Sequence, residues 1–75
     1  MQFQVTTEKT YDGIDAKIPS IRECQSWGKT EDEALANLFE RAAFFLKLPA
    51  RFKHILDRSR VEDGITYYTL VIKSH

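Results

Sequence analysis

The chain is short of the residues that covalent or metal chemistry needs. Among 75 residues there are one cysteine, Cys24, and two histidines, His54 and His75. A lone thiol excludes an intramolecular disulfide, and neither histidine stands at a metal-ligand spacing from it, so zinc is not supported and no cofactor is implied. Long hydrophobic runs are also missing. The longest in the central segment, Ala42 to Leu46, is closed off by Arg41 and Lys47 and is too short to cross a bilayer. No secretory leader opens the sequence, and these absences together point to the cytoplasm. With 3 glycines and 2 prolines, no linker or low-complexity tract divides the chain, so residues 1–75 read as one domain. A formal net charge of zero removes any global attraction to nucleic acid. A chain this small buries only roughly 60–70% of its unfolded surface, which makes a homo-oligomer, most simply a dimer, a reasonable source of stability.

The charges that are present are segregated. From Glu8 to Glu40 there are eight acids against four bases, and from Arg41 to Arg60 six bases against one acid. Phe3 and Val5 alternate with polar residues in FQVTTEK, as in a half-buried strand, and Asp12-Gly13 is a hairpin turn signal. Ile14, Ala16 and Ile18 alternate with Asp15 and Lys17 in a second strand that Pro19 ends, and Cys24 to Trp27 supplies a short third. Leu35, Leu38, Ala42 and Leu46 recur at helical spacing, which predicts a helix from Glu31 to about Lys47. Phe44 breaks that pattern, since it falls on the polar side. Residues 50–61 suit a short helix opened by Pro49. The alternative is a strand paired through an Asp63-Gly64 turn, and the helix is the preferred reading. ITYYTLVIK is a strand with apolar side chains on both faces, so it is either central or covered by another chain. The expected fold is α+β, in the order β-β-β-α-β: a small antiparallel three-stranded sheet plus a C-terminal strand, with one main helix on one face.

The triplet Gly28-Lys29-Thr30 ends like a phosphate-binding loop, but Glu23 stands where that loop needs its first glycine and three acids follow. Thr30 and Glu33 are instead spaced as a capping box, with the first-turn acids complementing the helix dipole. A Cys24–His54 nucleophile pair has nothing to bring it together, and buried packing is the simpler role for Cys24. Trp27 reads as core beside the helix start. Arg51, Lys53, Arg58 and Arg60, with Phe52 interleaved, are candidates for contact with RNA or DNA phosphates and bases.

The stretch IPSIRECQSWGKTEDEALANLFERA, Ile18 to Ala42, resembles the HicB-like antitoxin family. The family pattern runs roughly P-x-L-P-G-C-x-S-x-G-x-T-x-E-E-A-x-x-N-x-x-E-A. Pro19, Ile21, Cys24, Ser26, Gly28, Thr30, Asp32, Glu33, Ala34, Asn37 and Glu40 fit it. Arg22 and Glu23 stand where the pattern has proline and glycine, and Arg41 replaces the final alanine. The resemblance implies a partial ribonuclease-H-like fold and a non-enzymatic antitoxin that binds a small basic mRNA-cleaving toxin and blocks it. Many members carry a DNA-binding segment after this domain, and none is expected before His75. The candidate partner or dimer interface is Phe44, Tyr67, Val71 and Arg41. For Phe44 the competing role is packing beneath residues 50–61. An RNA- or DNA-binding accessory using segment 51–60 is the alternative function.

Overall fold

Alternation in the first nine residues does build a strand, and it becomes the centre of the molecule. The computed structural model describes residues 1–49 and 52–73. Its elements are β1 (Gln2–Lys9), β2 (Ile14–Lys17), β3 (Gln25–Gly28), α1 (Glu31–Leu46), β4 (His54–Glu62) and β5 (Ile65–Ile72). The fold is α+β: one antiparallel sheet in the order β3-β2-β1-β5-β4, with α1 lying over β2 and β3. Val5, Ala16, Ile18, Leu38 and Leu70 are fully shut off from solvent between the helix and the sheet.

Residues 54–62 form strand β4, not the short helix expected within 50–61, so the sheet has five strands rather than four. The turn decides this. Asp63 and Gly64 both take left-handed backbone, φ 53° and 79°, which is the type I′ geometry whose twist matches the strands it joins. A segment this short is a poor helix nucleus by itself, and β5 offers it a full ladder of partners, from His54 opposite Ile72 to Glu62 opposite Ile65. One extra residue, Ser59, bulges out between Arg58 and Arg60. The Asp12-Gly13 hairpin joins β1 to β2 by a wider loop, closed by the Thr10 N–H donating to the Gly13 carbonyl at 2.8 Å.

Both ends of α1 are locally determined. Thr30 accepts from the Glu33 N–H at 3.2 Å. The Glu33 carboxylate accepts from the Lys29 N–H at 3.4 Å, one residue before the expected partner Thr30. At the other end Lys47 takes φ 56°, and the Leu48 N–H reaches back to the Ala43 carbonyl at 2.8 Å. That is a Schellman closure without glycine, and it stops the helix before Pro49.

Candidate protein-interaction surface

Side-chain alternation divides the sheet into a helix-facing side and an open side. Val5, Ala16, Tyr68, Leu70 and Ile72 face α1. Trp27, Asp15, Glu8, Ile65, Tyr67 and Val71 belong to the other side, which no described element covers. Trp27 is therefore not core beside the helix start. It is 38% exposed, and its ring lies over Gly13, where an added Cβ would come within 2.4 Å of it. The odd register position of Trp27, opposite Asp15 rather than Ala16, decides its side.

On the open side lies a shallow hollow of about 710 Å³, lined by residues that include Thr6, Lys17, Trp27, Arg41 and Tyr67. Arg41 also lines a smaller depression of about 260 Å³ with Glu40, Phe44 and Phe45, so it joins the helix surface to the open sheet. Phe44 is 80% exposed, and its ring meets that of Phe45 edge to face at 5.7 Å. Nothing described after the helix packs over it. Three of the four expected interface residues, Phe44, Arg41 and Tyr67, thus connect through these two hollows. Val71 shares the open side but lies farther along β5, opposite Gln2 and Ile55.

Two of the candidate nucleic-acid contacts, Arg58 and Arg60, diverge. Arg58 stands opposite Tyr68 on the helix-facing side, and the bulge at Ser59 puts Arg60 on the open side. There its guanidinium lies 4.0 Å over the Tyr67 ring and 3.8 Å from the Glu62 carboxylate. Lys53 precedes β4, and Arg51 is outside the described residues. The pattern of acids and bases gave no sign of this divergence, because it depends on a bulge.

Several residues of the Gly28–Asn37 stretch form one structural joint. Gly28 lies against the helix backbone at Ala34, and Ala34 is fully buried. The Asn37 amide donates to the Trp27 carbonyl at 2.9 Å, tying the helix to edge strand β3. Cys24 is 1% exposed, and burial pushes its thiol up, opposed by the nearby Arg41 guanidinium. That is the reverse of an activated nucleophile. His54 packs its ring on Phe39 and Phe52, with Nδ1 3.2 Å from the Phe52 carbonyl.

A cluster invisible in the sequence pins the helix start to the sheet. Tyr68 OH and Thr7 Oγ1 both donate to the same Glu31 carboxylate oxygen, Thr7 at 2.8 Å. Burial pushes the Tyr68 phenol up to about 12, and the Glu31 acceptor adds to the rise. An unfolded tyrosine titrates near 10, so between about pH 10 and 12 the unfolded chain has lost a proton that the native one keeps. Stability therefore falls as pH rises through that window. Tyr68→Phe is expected to flatten the fall, at a cost of about 1 kcal/mol near neutral pH. Urea midpoints of both proteins from neutral to strongly alkaline pH measure this, and parallel curves would remove Tyr68 as the cause.

Comparison with protein-family models, with curated proteins and with solved structures returns no match for this chain.

Proposed function

We propose that the chain is a protein-interaction module of the HicB antitoxin type, which binds a small basic mRNA-cleaving toxin and blocks its active face. The observation that carries this reading is Phe44, a large apolar side chain left 80% exposed inside a regular helix. Covering it would recover about 2 kcal/mol of apolar burial. Phe44 continues the helix line of Glu33 and Glu40, both exposed acids, so an aromatic anchor sits at the end of an acidic strip suited to a basic partner.

The motif resemblance supports the same reading. At Glu23, where the family pattern has glycine, the backbone takes φ 65°, the left-handed conformation glycine adopts most readily. The alternative role, nucleic-acid binding through segment 51–60, loses support from Arg58 and Arg60 lying on opposite sides of the sheet.

The test is affinity capture from the native cell with this protein and with Phe44→Glu. A captured small basic protein should cleave mRNA alone and stop when this chain is added back. Phe44→Glu, still folded by circular dichroism, should weaken the complex at least about thirtyfold. Cleavage unaffected by the chain, or equal binding by the variant, would overturn the reading.

A further inference from the structure

The two edges of the sheet are treated differently. β3 is short, and its Trp27 carbonyl is occupied by Asn37. β4 runs nine residues, and no described element pairs with its outer edge. Ile55 and Val61 on it are 42% and 55% exposed. The direction of its backbone groups follows from two bonds. The Ile72 N–H donates to the Met1 carbonyl at 2.7 Å, and the Lys73 N–H to the Lys53 carbonyl at 3.0 Å. Alternate residues of β5 therefore bond β1 and β4 in turn. On β4, Ile55, Asp57, Arg60 and Glu62 turn their peptide groups inward, and Leu56 and Val61 turn theirs out to the free edge.

We propose that β4 is the homodimer interface: it pairs antiparallel with β4 of a second copy, about a two-fold axis at the Arg58–Ser59 bulge, to make one continuous ten-stranded sheet. In this register Leu56 stands opposite Val61 of the second copy. Both turn their backbone groups outward and both lie on the helix-facing side, opposite Leu70 and Thr66. Asp57 stands opposite Arg60 of the second copy on the open side, and the symmetry makes that ion pair twice. Ile55 stands opposite Glu62.

Bulges and charges on an edge strand ordinarily discourage pairing. Here the inserted residue has the opposite consequence. Without it, residues before and after the centre would present opposite faces in this register. A slide of one residue puts helix-facing side chains against open ones, and a slide of two in one direction puts Asp57 against Glu62. The interface is distinct from the Phe44 surface and does not depend on the toxin reading.

Light scattering and sedimentation equilibrium on the full chain test it, each read against the 8.7 kDa of one protomer. The wild type should have twice that mass, and so should Phe44→Glu. Val61→Pro removes an outward N–H without touching the β5 ladder and should give a monomer. Asp57→Arg and Arg60→Asp should each raise the dissociation constant about tenfold, and the double variant should restore the dimer. Rescue by the double variant keeps the test informative if Val61→Pro misfolds. A wild-type monomer at submillimolar concentration, a dimer lost in Phe44→Glu, or a double variant no better than the singles would overturn the proposal.

Discussion

Gly28→Ala is expected to cost at least about 3 kcal/mol, a large part of the roughly 4–11 kcal/mol that a domain of this size has. The reason is space. A Cβ at Gly28 would lie 2.4 Å from the Ala34 amide nitrogen and 2.8 Å from both Ala34 Cα and Glu33 carbonyl carbon. All three are backbone atoms, so no rotamer change relieves the clash, and the start of α1 must lift from β3. Lifting it also strains the Asn37–Trp27 bond and the hold of Glu31 on Tyr68 and Thr7. Chemical denaturation with tryptophan fluorescence reports both the loss and its place, because Trp27 is the single tryptophan and adjoins the clash. A loss below about 1 kcal/mol would show that the helix start slides without resistance.

Leu38→Ala should cost about 2–5 kcal/mol, lowering the thermal midpoint by about 10–25 °C. Leu38 is fully buried on the face of α1 that meets the sheet, in the same cluster as Val5 and Leu70. Truncation removes its own burial and leaves a cavity that neighbours fixed in a β-ladder fill poorly. Leu38→Met keeps most of the volume and should cost less than about 1.5 kcal/mol. Calorimetry on both separates cavity formation from a change in helix propensity. Equal losses would mean that the shape of the side chain, not its volume, governs the site.

The strand and helix periods in the first two thirds of the chain were legible because each depends on neighbours within a few residues. Val5, Ala16, Leu35, Leu38 and Ala42 all reach the core as their spacing predicts. Thr30 caps α1 as its spacing with Glu33 predicts, although the return bond goes to Lys29. That 54–62 is a strand and not part of the short helix expected within 50–61 has a specific cause. Its own residues are mixed in preference, and what commits them is a turn beyond their end and a partner strand, β5, on the far side of it. Trp27, which reads as core beside the helix start, lies instead on the open side. The register of β2 against β3 sets its side of the sheet, and the local sign of it is the odd spacing of three from buried Cys24, which puts the two on opposite faces of a strand.

The candidate surface divides in the same way. Phe44 stands out in the sequence because it breaks a period, and the structure leaves it 80% exposed, with no described residue after α1 packed over it. The meeting of Arg41 with Tyr67, the separation of Arg58 from Arg60, and the Glu31–Tyr68–Thr7 cluster each join residues distant in the chain or reversed by a bulge. By itself the sequence determined the α+β class and the helix with its cap, since periodicity and capping are short-range physics. The tertiary structure alone decided which faces and edges stay open, because sheet order and register are fixed by pairings between distant segments.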